Sequence, residues 1–261
     1  DMKVVRTVAD VRAELGGVIG LVPTMGALHD GHRSLFAAAR AENDLVVASL
    51  FVNPTQFGDS TDLAAYPRDE ARDVQVAEEE GVDVLFVPAA DEIYPEGFRT
   101  WVEVEGAGAE GQARPGHFRG VATVCVKLFN IVQPQRAYFG QKDAEQAVVI
   151  RRVVRDLNMQ IQIRVLPTIR SADGLALSSR NVLLSAGERE RALGLPHALH
   201  AGTRAFSGGD DPVAAARASL NGLDPDYVEL LDLDGAILLA AAVRVGSIRL
   251  IDNVILEGDL T

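Results

Sequence analysis

Cysteine is nearly absent from this chain of 261 residues: Cys125 stands alone, which excludes an internal disulfide and fits a reducing compartment. Lysine is scarce as well. Lys3, Lys127 and Lys142 are the only ones, so the basic charge is almost all arginine, the better fork for phosphates and carboxylates. No apolar run approaches the roughly 20 residues of a membrane helix; the longest is Ala236–Val243. No basic stretch followed by an apolar run opens the chain, so no signal peptide is expected, and the protein is expected in the cytoplasm. Basic charge is not in excess either. The formal net charge is −12, a field that repels nucleic-acid backbones and anionic membranes, so neither is expected as a partner. With 48% hydrophobic and 24% charged residues, disorder is excluded as the dominant state.

What is present is an alternation. Short β-branched and apolar runs, at 18–23, 45–52, 82–88, 136–140 and 160–166, read as buried strands of a parallel sheet. Between them lie amphipathic stretches at 31–42, 68–80, 119–132 and 144–157. This repetition predicts an α/β fold, a doubly wound parallel sheet with right-handed crossovers. After Pro167 the pattern changes. A helix is expected over 186–206, a break at 207–212, and strands at 226–231, 236–245 and 248–256, with Gly246-Ser247 as a hairpin turn. Two units are therefore expected: residues 1–168, and a smaller α+β unit at 169–261.

Four loops carry the residue types that chemistry needs. The first is Pro23-Thr-Met25-Gly26-Ala27-Leu28-His29-Asp30-Gly31-His32, which follows a strand and opens a helix. A helix N-terminus at the carboxyl end of a strand offers free N–H groups to a phosphate, and two histidines three apart can both face that spot. On spacing alone the segment reads equally as a strand–helix loop capped by Asp30 with two surface histidines. A histidine pair can also bind metal, but no third ligand stands nearby. The second loop, Phe51-Val-Asn53-Pro-Thr-Gln56-Phe57, offers two neutral amides able to orient hydroxyl and carboxylate oxygens, or is an Asn-Pro turn. The third, Gly140-Gln141-Lys142-Asp143-Ala-Glu-Gln146, places a lysine at a helix start, where it neutralises a phosphate or pairs with Asp143 at the surface. The fourth, Leu177-Ser178-Ser179-Arg180-Asn181, is a phosphate clamp or a serine helix cap.

Taken together, these loops resemble the pantoate–β-alanine ligase (pantothenate synthetase) family. The similarity runs in order through PTMGALHDGH (23–32), FVNPTQF (51–57), YPR (66–68), HFRGV (117–121), YFGQKDAEQ (138–146), ADGLALSSRN (172–181) and RLIDN (249–253). The resemblance implies a Rossmann-like sheet of nucleotidyl-transferase type with the C-terminal unit as a lid. It implies ATP as substrate with Mg²⁺, and a homodimer. The implied reaction has two steps. The carboxylate of (R)-pantoate attacks the α-phosphate of ATP, giving pantoyl adenylate and pyrophosphate; the β-alanine amine then displaces AMP. Carried over by motif, Met25, Gly26, Ala27, Leu28, His29, Asp30, Gly31 and His32 line the ATP site, with His32 the proton donor. Gly140, Gln141, Lys142 and Asp143 bind ATP, Ile169 gives adenine a backbone contact, and Leu177, Ser178, Ser179 and Arg180 close on the phosphates. Asn53, Gln56, Gln146 and His117 take the other substrates. His29, His32, Lys142 and Arg180 form the implied catalytic set, and no residue is assigned to a metal. Gln141 departs from the glutamate common at this position in the family. Leu177 stands where others have methionine. The rival readings are a nucleotidyl transferase that stops at an adenylated product and a nucleotide-binding module without catalysis; four charge-stabilising side chains weigh against the latter.

Overall fold

The computed structural model describes residues 1–106 and 108–260. Six parallel strands form the larger sheet: β1 Lys3–Val5, β2 Ile19–Thr24, β3 Leu45–Leu50, β4 Val84–Phe86, β5 Arg136–Gly140 and β6 Gln162–Leu166. Their order is β1-β4-β3-β2-β5-β6. The chain builds outward from β2 to β3 and β4, then returns to the other side of β2 with β5 and β6. The strand order thus reverses between β2 and β5, and open α/β sheets bind ligands beyond the carboxyl ends of the strands at such a point. The sheet has one strand more than the apolar runs predict. β1 is a three-residue edge strand paired only with β4, too short to give a periodic signal.

The helices of this part are α1 Val8–Ala13, α2 Asp30–Glu42, α3 Ser60–Ala65, α4 Glu70–Glu79, α5 Ala90–Ile93, α6 Ala109–Ala113, α7 His117–Val132 and α8 Ala144–Asp156. α1, α5, α7 and α8 pack on one face of the sheet and α2 and α4 on the other, each face with its own core. One holds Leu21, Val47, Phe86, Leu128, Phe129 and Ile150; the other holds Val22, Leu28, Phe36, Val46, Leu85 and Tyr138. Strands buried on both sides need continuous apolar runs, which is why they were legible. β3 and β4 are themselves buried, with Leu45 alone half-buried.

Beyond β6 come α9 Ala186–Ala192, α10 Gly194–Gly208, α11 Pro212–Ala218 and an antiparallel sheet of β7 Asp224–Leu233, β8 Ala236–Val245 and β9 Ile248–Glu257. The single helix expected over 186–206 is two. Pro196 lacks the N–H that a continuous helix would use, and it sits instead in the first turn of α10, where prolines are tolerated. The expected break at 207–212 is narrower than a loop: Gly209, at φ 82°, ends α10, and Asp211 caps α11 with Pro212 at its start. Asp234-Gly235, both with positive φ, turn β7 into β8, a dipeptide suited to a tight hairpin. Leu195, Leu199, Leu220, Leu239, Val243 and Leu250 form a core of their own, while Leu233, Ala236, Leu238 and Leu260 join the larger core. Among the described residues no helix is long and apolar enough to cross a membrane.

Candidate active site

Three of the loops singled out in the sequence follow strand carboxyl ends, the fourth begins at Leu177, eleven residues beyond Leu166 at the end of β6, and all four meet around one cleft. Its walls include Met25, His29, Gly31 and His32 after β2; Asn53 and Gln56 after β3; Gly140 at the end of β5 with Lys142, Asp143 and Gln146 after it; and Ile169, Leu177, Ser178, Ser179 and Arg180 after β6, with His117 from α7. Gly26, Ala27, Leu28, Asp30 and Gln141 are not on these walls. Leu28 is in the core, 1% exposed. Asp30 faces solvent beside Arg33 and is not the helix cap; His29 is. Gln141 reaches away to Asn253 Oδ1 at 3.2 Å.

The two histidines cap α2 reciprocally. His29 Nδ1 accepts from the Gly31 N–H at 3.1 Å, and His32 Nδ1 accepts from the His29 N–H at 3.2 Å. A ring nitrogen that accepts is unprotonated, so each neutral ring carries its proton on Nε2 and can donate from there. The rings lie 4.2 Å apart. Burial, with the Lys142 charge added, lowers His29 to about 4. Burial, then His29 and Lys142, lowers His32 to about 3. Both are neutral donors at pH 7. The turn before them is held from below by Asp73 of α4, 2% exposed, whose carboxylate accepts from Ala27 N–H at 2.8 Å and Leu28 N–H at 2.7 Å. Ser179 Oγ donates to the Ala27 carbonyl at 3.1 Å and ties the fourth loop to the first.

On the loop after β3, Asn53 is 1% exposed and fully engaged. Its amide donates to Gln56 Oε1 at 3.0 Å and to the Gly120 carbonyl at 3.1 Å, and its oxygen accepts from Thr55 Oγ1 and the Tyr94 hydroxyl, both at 2.9 Å. No donor is left over for a ligand. Its effect is to orient Gln56, whose Nε2 becomes the end free for a substrate oxygen. His117 donates from Nδ1 to the Gln56 carbonyl at 2.9 Å. Burial, then Arg114, lowers it to about 4.

Three cations face the cleft. Arg180 sends Nη2 to both Asp62 oxygens at 3.0 and 2.9 Å, leaving Nη1 and Nε without that partner. Lys142 Nζ is 3.4 Å from Asp143. Arg114 Nη1 is 3.4 Å from Glu110 and from His117 Nε2. Arg114 was missed in the sequence, as was Thr168, whose hydroxyl lines the cleft without a partner. Neither stands in a strong motif; Arg-Pro-Gly before the HFRGV segment was the available hint for the arginine.

A cleft with two neutral N–H donors, three cations and an oriented amide suits transfer at a phosphate, where charge grows in the transition state. The comparisons with known proteins agree in one direction. The family model described as pantoate-β-alanine ligase matches residues 2–255. Pantothenate synthetase of Moorella thermoacetica is 51% identical, across 98% of this chain and 99% of the relative. The crystal structure of pantothenate synthetase from Thermus thermophilus superposes with a TM-score of 0.95 at 45% identity, over 98% of this chain and 100% of that one. That of pantoate-β-alanine ligase from Francisella tularensis, complexed with β-γ ATP and β-alanine, gives 0.87 at 36% identity, over 99% of each.

Proposed function

The chain belongs to the pantoate-β-alanine ligase family, and we propose on that premise that this cleft joins (R)-pantoate to β-alanine, using ATP and releasing AMP and pyrophosphate. The reaction proceeds through pantoyl adenylate. The observation that carries this reading is that one cleft brings together His29, His32, Lys142 and Arg180 with the Asn53-oriented Gln56.

In the first step a pantoate carboxylate oxygen bonds to the α-phosphorus and pyrophosphate leaves. The developing negative charge meets the Nε2–H groups of His29 and His32, the Lys142 ammonium and the Arg180 guanidinium. Removing one such donor costs about 3–4 kcal/mol of barrier. His32 acts here as a hydrogen-bond donor: a ring lowered to about 3 carries no second proton to give at neutral pH. Gln56 Nε2 and Gln146 hold pantoate, Ile169 holds adenine through its backbone, and Ser178 and Ser179 close on the phosphates. In the second step the β-alanine nitrogen bonds to the acyl carbon and AMP leaves. That step needs proximity and a dry pocket more than a base.

Mg²⁺ fits this chemistry as a companion of the nucleotide. Among the described residues no group of three or more His, Cys, Asp or Glu is placed to hold a metal. Mg²⁺ is ordinarily bound by one or two carboxylates and substrate phosphates, and Asp143 is the carboxylate on the cleft wall. When bound it would neutralise phosphate charge. We also read residues 1–168 as the nucleotide- and pantoate-binding unit and 169–261 as its lid, a reading that the separate C-terminal core supports. The protein works as a cytoplasmic homodimer in this reading; sedimentation tests the oligomer.

The test is AMP release with ATP, Mg²⁺ and (R)-pantoate, with and without β-alanine. AMP is expected only with both substrates. Pyrophosphate without AMP in the complete mixture would point to an adenylating enzyme with another acceptor. His32→Ala and Lys142→Ala should each lower turnover about 100- to 1000-fold while leaving the fold intact; near-normal turnover in either refutes the assigned role.

A further inference from the structure

One motif of the sequence has no part in the chemistry above: Arg249–Asn253 on β9. Asn253 is 3% exposed and lies outside the walls of the nucleotide cleft. Its side chain is spent on a single turn. The Nδ2–H groups donate to the carbonyls of Gln141 at 2.9 Å and Lys142 at 3.0 Å, and Oδ1 accepts from Gln141 Nε2 at 3.2 Å. Those carbonyls belong to the short 3₁₀ turn Gln141–Asp143, which leads from β5 into α8. A 3₁₀ turn of three residues has poor hydrogen-bond geometry of its own, so an external amide that takes two successive carbonyls fixes its orientation. The turn's orientation sets the direction in which Lys142 leaves the backbone. The amide is in turn anchored: Asp252 Oδ1 accepts the Asn253 N–H at 2.8 Å while the same carboxylate takes two nitrogens of Arg170 at 2.6 and 2.9 Å.

We infer that Asn253 is a positioning residue for Lys142, setting from the C-terminal sheet the grip of that lysine on nucleotide phosphate. The inference rests on the reading of Lys142 as a phosphate ligand. Asn253 touches no substrate; it acts through the turn. Gln141 fits this arrangement, because its amide donates to Asn253 Oδ1 where a carboxylate could not.

The experiment is a double-mutant cycle on ATP affinity, measured by calorimetry on the full chain with Lys142→Ala, Asn253→Ala and the pair. Asn253→Ala is expected to weaken ATP about tenfold, or about 1.4 kcal/mol, and Lys142→Ala to weaken it at least as much. In the pair the Asn253 change should add almost nothing, since the group it positions is gone. Equal weakening by Asn253→Ala with and without Lys142 would show an effect on the fold alone and overturn the inference. Wild-type affinity in Asn253→Ala would overturn it too. Unchanged affinity in Lys142→Ala by itself would instead overturn the underlying reading of Lys142. Asn253→Ser, which keeps one donor, serves the same cycle if the alanine variant melts below the assay temperature.

Discussion

Gly120 is the position where one added methyl group tests the geometry of the cleft. It sits in α7 against the turn that carries Gln56. A Cβ there would stand 2.5 Å from the Thr55 carbonyl oxygen, 2.6 Å from its carbon and 2.7 Å from Gln56 Cα. These are backbone atoms and cannot swing aside. Ordinary contact starts near 3.4 Å, so in Gly120→Ala helix and turn must part by about 1 Å, in keeping with the cost of overpacking a well-filled site. Alanine favours the helix by about 1 kcal/mol over glycine, and overpacking costs about 1–3 kcal/mol. The net loss of stability is therefore about 0–2 kcal/mol, and the protein stays folded. The site fares worse, because the parted elements carry Gln56 and His117. A 1 Å misplacement costs about 100-fold in rate. AMP formation with pantoate varied at saturating ATP should show kcat/KM for pantoate falling about 100-fold, with the KM for ATP barely moved, since the nucleotide loops do not touch Gly120. Circular dichroism confirms the fold. Near-wild-type kcat/KM for pantoate in a folded Gly120→Ala would refute the close approach and the role of Gln56 built on it.

Three further outcomes are expected. His29, His32 and His117 are lowered to about 4, about 3 and about 4, so the unfolded chain binds more protons below its ordinary imidazole value of about 6.5; stability is fully present above that pH and falls as the pH drops from about 6.5 towards 4. His117, the best buried, contributes up to about 3 kcal/mol of that fall, and melting temperatures from pH 8 to 5 that do not decline would contradict it. Asp73→Ala strips the acceptor from two buried N–H groups, each worth about 1–3 kcal/mol when left unpaired; urea titration should show the loss, with Asp73→Asn losing less and ATP affinity falling in parallel. Arg249 holds Glu110, which is 4% exposed, through two bonds of 2.8 Å. Burial raises that carboxyl, but the arginine outweighs it and holds it at about 2. Arg249→Ala should cost about 3–5 kcal/mol, and adding Glu110→Gln should recover part of it; equal stability of the single and double variants would argue against a buried pair.

How much of this was legible follows physical lines. Five of the six strands were, because strands covered on both faces have to be continuously apolar, and the first three loops were, because each sits where a strand ends; the fourth begins eleven residues beyond β6 and was legible only by its hydroxyls and arginine. Within the loops the side chains diverge. A contiguous motif such as 25–32 does not send every side chain the same way: Leu28 turns into the core and Asp30 to solvent while His29 and His32, three apart, share a face. What could not be read was whatever depends on elements that meet only in the fold. Asp73 looks like one more acid on a charged helix and is buried under a loop 45 residues earlier in the chain. Arg114 and Asn253 reach the site through contacts across 58 and 112 positions. No period or spacing encodes such contacts.

These long-range contacts also explain how a chain with net charge −12 keeps a site for ATP. Each cation facing the cleft already has a carboxylate: Asp62 on Arg180, Asp143 near Lys142 and Glu110 near Arg114. Bare cations would bind the triphosphate and the transition state alike, which raises affinity without raising the rate of the chemical step. A cation tethered by an acid loses some of that uniform attraction and keeps its position. The histidines extend the same logic. Desolvation holds them neutral, so they add no net charge to the resting cleft, yet their Nε2–H dipoles stay fixed at the place where phosphate charge grows. Preorganised dipoles of this kind need no reorganisation at the moment of reaction. Replacing the placed neutral donor at His32 by a positive charge should therefore tighten ATP and slow turnover: for His32→Lys we expect the ATP dissociation constant and kcat to fall together. A His32→Lys variant with wild-type kcat would show that the charge, and not the placed neutral donor, is what the reaction requires.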